Sequence, residues 1–397
     1  MRLTCGYGAT LPSTAGVLLL VGCGPGATQA VGDGESAPHG YVEGAEETAE
    51  PQRRLVMAEA ESGAVHILDP ATEDVTRVGE VPGAREIATD GRFVYLGTGT
   101  DAAVLDSGAW TVDHGDHAHY YRTEADIAGR TEAGSGLGAA GDAAVTALTS
   151  DEGSRVLDRI ALEEDGEINE TASVEGTAVL ALGERLLVAG AGGADSVRVV
   201  DRDGERAEPE LAADCRDPKG QASTRRGAVF GCSDGALVVT EGDDGGFDTT
   251  RIPYPASADP VKSFHHRPTA PVVAGVNTGR EVWVLDIAGE SWTLIDTGVP
   301  ALAASAAGEE KPVLVLGTDG ALRSYDPASG EQLAERDLME APDGDTPKPR
   351  IWIDTSRAYV NDPEGRTLHE IDYSDDLRIA REFDLDFGPD LMVETGW

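Results

Sequence analysis

The sequence predicts an all-β chain folded as a β-propeller of about eight (seven to eight) four-stranded blades, with the ring closed by the C-terminal strand. Three observations carry this expectation. A unit recurs every 35 to 50 residues or so, a period typical of propeller blades. Its strands alternate apolar and polar side chains and end on an aspartate. The 397 residues include 50 glycines and 21 prolines, and long amphipathic helical patterns are nearly absent, which suits many short strands joined by tight turns. A chain of this length also exceeds what one ordinary core supports, so a repeat architecture accounts for its size.

The repeated strand is clearest in Ala64-Val65-His66-Ile67-Leu68-Asp69, Ala103-Val104-Leu105-Asp106, Ser196-Val197-Arg198-Val199-Val200-Asp201, Glu281-Val282-Trp283-Val284-Leu285-Asp286 and Ala321-Leu322-Arg323-Ser324-Tyr325-Asp326. The terminal carboxylate is suited to closing the following turn by accepting nearby backbone N–H groups. Units begin near residues 55, 85, 138, 177, 221, 261, 301 and 350, and the third is irregular. The first unit lacks an innermost strand, whereas Asp390-Leu391-Met392-Val393-Glu394 is a strand with no successor. Pairing the two removes the open sheet edges that would otherwise invite aggregation.

Ahead of the repeats, Arg2 and the apolar run from Ala15 to Val21 lead into Leu20-Val21-Gly22-Cys23. That run is too short to span a bilayer. It matches a lipoprotein signal over residues 1–22, with cleavage before Cys23 and lipidation of its thiol; an ordinary signal peptide cut nearby is the alternative. Residues 23–54 are rich in Gly, Ala, Glu and Pro and read as a lipid-anchored flexible linker, in which His39 is incidental. The propeller domain is expected over residues 55–397.

If Cys5 leaves with the signal and Cys23 is acylated, Cys215 and Cys232 remain. In an oxidising compartment a disulfide is the natural assignment, with a pair of thiolate metal ligands as the competing one. The net charge of -41, from 72 acidic against 31 basic residues, argues against binding nucleic acid. Membrane contact is expected only through the anchor at Cys23.

One segment stands apart. Asp113-His114-Gly115-Asp116-His117-Ala118-His119-Tyr120-Tyr121 places three of the chain's eight histidines within six residues. In an extended stretch His117 and His119 project to one side, and His114 reaches in from the turn that Gly115 permits. Three neutral imidazoles at about 2.0 to 2.1 Å make a ligand set that zinc prefers. Asp113 and Asp116 would ligate directly or orient the imidazoles. The competing reading is a solvated polar loop.

A second cluster, Phe264-His265-His266-Arg267-Pro268, falls where an innermost strand should end. Loops after the first and third strands of a blade emerge on the same face, so both clusters are expected at one mouth of the channel. Alternation allows at most one of His265 and His266 to join the metal; packing or capping is the alternative for both. His66 and His369 lie mid-strand and read as structural. The sequence holds no nucleophile elbow, His-Glu-x-x-His or Walker motif, and its acidic turns lack EF-hand spacing.

These residues resemble a family. His-Gly-Asp-His-Ala-His-Tyr-Tyr at 114–121, Cys215 with Phe230-Gly231-Cys232-Ser233-Asp234-Gly235, and the His265-His266 pair are similar to the AztD-type zinc metallochaperones, secreted propeller proteins associated with zinc ABC importers. The resemblance spans most of the chain from about residue 55. It implies an extracytoplasmic, non-enzymatic protein that captures Zn2+ and passes it to the solute-binding protein of such an importer. From the residues alone two other functions stay open: a metal-dependent hydrolase of the lactonase type, since a three-histidine site with an open position can activate water, and an interaction scaffold without metal. Imidazole ligands also suit copper and nickel.

Overall fold

The structure is a computed structural model that describes residues 44–397, apart from 116, 210, 212, 244, 256–258, 278, 343, 345 and 346. The signal segment, Cys23, His39 and Asp116 lie outside the described residues. Among the described residues the strands form eight antiparallel sheets of four and one of three, with a single α-helix, Arg159–Asp165. This is an all-β, propeller-like architecture.

Alternation explains how the sheets stack. In Arg54–Ala58, Leu55 and Met57 point to one face and Val56 and Ala58 to the other, because successive side chains of a strand project oppositely. Each face is buried against a neighbour. Val56 and Ala58 pack with Ile87, Val94 and Leu105 of the next sheet. Leu55 and Met57 pack with Tyr359, Leu368 and Phe383 of the last. The same arrangement recurs down the chain, for example Ala228 and Phe230 against Leu187 and Val199, and Leu314 and Leu316 against Ile353 and Val360. The core is thus a series of apolar layers, each shared by two consecutive sheets.

The sheets begin close to the expected boundaries, with first strands at Glu86–Thr89, Gly138–Gly141, Ala178–Leu182, Gln221–Thr224, Ser263–His265, Ala301–Ala306 and Ile351–Ile353. The remaining four-stranded sheet is completed from the other end of the chain. Leu391–Thr395 pairs with Arg54–Ala58 in the register Arg54↔Thr395 to Ala58↔Leu391. Leu391, Met392 and Val393 are buried there, each contributing roughly 1.5 to 3 kcal/mol.

The strand-terminal aspartates close their turns as the sequence implies. Asp69 Oδ1 accepts the N–H of Ala71 at 2.8 Å, Asp106 that of Gly108 at 2.8 Å, and Asp201 that of Glu205 at 2.9 Å. Asp286 binds Gly289 at 3.0 Å, and Asp326 binds Ser329 at 2.7 Å. The third sheet owes its irregularity to the helix between its last two strands, capped by Asp158, whose Oδ1 accepts Ala161 N–H at 3.1 Å.

Cys215 and Cys232 form a disulfide with their Cα atoms 5.1 Å apart, which disposes of the thiolate-ligand alternative. It joins the end of the fourth sheet, after Ala213–Asp214, to the second strand of the fifth, Gly227–Cys232. Part of the segment expected as linker is also structured: Glu46–Thr48 is a strand, and it belongs to the three-stranded sheet that carries the histidines.

Candidate metal centre

Between the third strand of its sheet, Asp101–Asp106, and the fourth, Asp126–Glu132, the chain makes an inserted hairpin of Ala109–Asp113 and Ala118–Arg122. Its register runs from Ala109↔Arg122 to Asp113↔Ala118, so the turn follows Asp113 and His119 stands opposite Val112. The backbone N–H of His114 donates to His117 C=O at 2.9 Å, closing the turn. Gly115 adopts φ +85°, a left-handed conformation natural for glycine, and its N–H donates to Asp113 Oδ1 at 2.7 Å. Asp113 therefore shapes the turn from its carboxylate.

The stem is anchored. Trp110 is buried and stacks on Tyr121 at 5.4 Å, while the Arg92 guanidinium lies 3.8 Å over the Trp110 ring and pairs with Asp106 at 2.7 Å. Arg54 donates to the carbonyls of Ser107 and Thr123 on either side of the hairpin. Thr111 Oγ1 donates to Gly396 C=O at 2.8 Å. The tip, by contrast, is exposed at His114 and His117 and half-buried at His119.

At this tip the three imidazoles converge. Ring centroids are 4.9 Å apart for His114 and His117, 5.3 Å for His114 and His119, and 5.0 Å for His117 and His119. Their potential ligand atoms all lie within 4.8 Å of one another. A tetrahedral ion held at about 2.0 to 2.1 Å places its ligands roughly 3.4 Å apart. Small rotations of exposed side chains close that gap.

One functional side chain escaped the sequence reading. Glu47, on Glu46–Thr48, sits opposite Tyr121 in the three-stranded sheet. Its Oε1 accepts from His119 Nδ1 at 2.7 Å. An ionised carboxylate can only accept here, so Nδ1 carries the hydrogen and Nε2 is the nitrogen left to face a metal. This is the arrangement in which a carboxylate orients a metal-binding imidazole. Its neighbour Glu46 accepts from Arg122 Nη2 at 2.8 Å, tying the same strand to the hairpin. Glu46-Glu47-Thr48 carries no apolar alternation, so three residues inside an acidic, glycine-rich stretch do not register as a strand.

The structure does not bring His265 and His266 to this cluster. Among the described residues, His114, His117 and His119 form a metal-capable group by themselves. His265 ends the first strand of its sheet, with Nε2 3.0 Å from Ser263 Oγ, and His266 Nε2 donates to Ser223 C=O at 3.2 Å. Both line a cavity of about 580 Å³ into which all eight four-stranded sheets place residues of an end strand, Thr89, Ala140, Leu180, Ser223, Leu302 and Leu391 among them. Burial pulls both imidazoles down to about 4, assisted at His265 by Arg350 and opposed at His266 by the bond to Ser223. They stay neutral at physiological pH. Alternation does not send them apart, because the strand ends at His265 and His266 makes a separate bridge to Ala306.

His66 and His369 are structural, as expected. His66 stacks on Phe387 at 3.8 Å, and His369 is buried with Nδ1 3.2 Å from Glu382.

No protein-family model matches the chain, and no curated protein matches it in sequence. Solved structures do resemble it. Apo AztD from Citrobacter koseri superposes with a TM-score of 0.71 at 18% identity, covering 87% of this chain and 98% of its own. A second AztD structure from that organism gives 0.68 at the same identity and coverage. The likeness is one of fold. Dihydro-heme d1 dehydrogenase NirN in complex with DHE is more distant, at a TM-score of 0.55 and 15% identity over 88% of this chain and 76% of its own. Among the described residues no helix is long and apolar enough to cross a membrane.

Proposed function

We propose that this protein is an extracytoplasmic zinc-binding metallochaperone in which His114, His117 and His119 capture Zn2+ and release it to the solute-binding protein of a zinc ABC importer. The observation that carries the reading is the convergence of three imidazoles on the exposed tip of an anchored hairpin, with Glu47 behind His119. The motif resemblance and the AztD-like fold support zinc over copper or nickel as the cargo. The scaffold around the hairpin is an eight-bladed ring closed by Leu391–Thr395. Its support is the sharing of apolar layers by consecutive sheets, including the first with the last, and the common cavity at their inner ends.

Three histidines leave the fourth position of a tetrahedral ion open. Openness suits transfer, because an incoming ligand can bind before the old ones leave. The stem stays rigid while the tip rotates, so ligand exchange does not disturb the core. The same geometry serves binding and delivery without catalysis. The lipid anchor at Cys23 and the short linker after it would keep the hairpin near the membrane where an importer works.

The test is zinc content and affinity of the chain purified without chelator, against a His117→Ala, His119→Ala variant. The proposal expects about one tightly held zinc per chain, lost in the variant, and transfer from loaded protein to a solute-binding protein. A chain that binds no divalent metal, or binds it equally in the variant, would leave a scaffold role instead. Chelator-sensitive hydrolysis of simple lactones or esters would favour the enzyme.

A further inference from the structure

The cavity at the inner ends of the sheets, about 580 Å³, is the size of a small-molecule site, and no residue of the histidine hairpin lines it. Its charge pattern reverses that of the rest of the molecule. With 72 acidic residues for 31 basic ones, the chain has more than two carboxylates for every cation. Several arginines elsewhere are paired with two carboxylates each: Arg155 with Glu132 and Glu170, Arg323 with Asp319 and Glu335, Arg381 with Glu73 and Glu370. Three cations of the cavity wall, Arg85, Lys348 and Arg350, have side chains with no ion pair or hydrogen bond among the described residues.

Two carboxylates also line the cavity, and both are committed. Asp90 accepts Phe93 N–H at 2.9 Å and Tyr95 O–H at 2.9 Å, and pairs with Arg159 at 3.3 Å. Asp390 Oδ2 accepts Ala60 N–H at 2.7 Å. Arg350 is the deepest cation, and the charge it feels most, Glu86, is not a hydrogen-bonded partner. A guanidinium left this way in a partly dehydrated site is costly unless an anion joins it. Gln221, whose Oε1 is taken by Val179 N–H at 2.7 Å, keeps its amide NH2 to donate. Trp352 and Trp397 supply apolar surface, since their indole N–H groups already bond the carbonyls of Met392 and Glu394 at 3.0 Å.

The geometry points to a second ligand site in this cavity, for a small organic polycarboxylate with a compact apolar body, held by Arg350, Arg85 and Lys348. It stands independently of the metal hairpin.

The experiment is calorimetric titration of the full, metal-free chain with citrate, in the His117→Ala, His119→Ala background so that chelation of zinc by citrate contributes nothing. One citrate per chain is expected, weakened at least tenfold by Arg350→Gln and largely recovered by Arg350→Lys. The Arg85→Gln, Lys348→Gln pair, at exposed positions, should weaken it similarly and covers the case in which Arg350→Gln fails to fold. Absence of citrate binding overturns the site, as does equal affinity in folded Arg350→Gln. Sulfate binding as tightly as citrate at matched ionic strength overturns the polycarboxylate assignment.

Discussion

Replacing Glu47 with alanine keeps all three histidines of the hairpin and deletes only the carboxylate that holds His119 Nδ1 at 2.7 Å. Carboxylates that orient metal-binding histidines are worth about 10- to 100-fold in affinity. Here the pair is partly in water, with Glu47 45% and His119 27% exposed, so the lower end applies. The expected loss is about tenfold in zinc affinity, near 1.4 kcal/mol. Glu47→Gln should fall between, because its amide oxygen still accepts the hydrogen bond without the charge. Competition against a chromogenic chelator reads the affinity, and a thermal melt confirms the fold. Glu46→Ala is the control: it breaks the exposed pair with Arg122, worth under about 1 kcal/mol, and should leave zinc binding within twofold. If folded Glu47→Ala also binds zinc within twofold of the parent, Glu47 does not position His119.

Three further outcomes follow from the packing. Deleting residues 390–397 strips the hydrogen-bonded edge of Arg54–Ala58 and removes three buried apolar side chains, Leu391, Met392 and Val393, so melting should drop by well over 10 °C or the chain should aggregate; parent-like stability would refute closure by this strand. Cys215→Ala with Cys232→Ala should lower unfolding free energy in denaturant titrations by about 3 kcal/mol while zinc affinity stays unchanged, because the bridge is structural. Glu394 is fully buried, 3.8 Å from Arg53, and burial pushes its carboxyl up to about 8, so between its ordinary value near 4.5 and 8 the folded chain holds a proton that the unfolded chain lacks. Stability should therefore decline as pH rises through that window. Glu394→Gln should flatten the decline in melts from pH 5 to pH 8, and an unchanged slope would count against this group as its source.

Features that repeat locally were legible in the amino-acid order alone. Strand periodicity, the Asp that ends each repeated strand and the spacing of the sheets depend on interactions within a few residues, so they are written in the chain order. The histidine turn is equally local. Gly115 and Asp113 shape it, and the i, i+3, i+5 spacing of His114, His117 and His119 brings the rings together across one hairpin. Cysteine arithmetic named the bridge because two thiols remained to form it.

Tertiary structure decided what depends on partners distant in sequence. Glu47 reaches His119 across 72 residues through a three-residue strand that has no hydrophobic pattern of its own. His265 and His266 suggest metal ligands by residue type, yet the end of one strand and a bridge to Ala306 place them in the cavity wall, where burial keeps them neutral and bonds to Ser263 and Ser223 hold them. Arg85 and Arg350 come to the same cavity from sheets at opposite ends of the sequence. Local pattern sets which elements form, because propensity and turn chemistry act over short range. Which side chains share a site is set by how the apolar faces of successive sheets stack, and that information is spread over the whole chain.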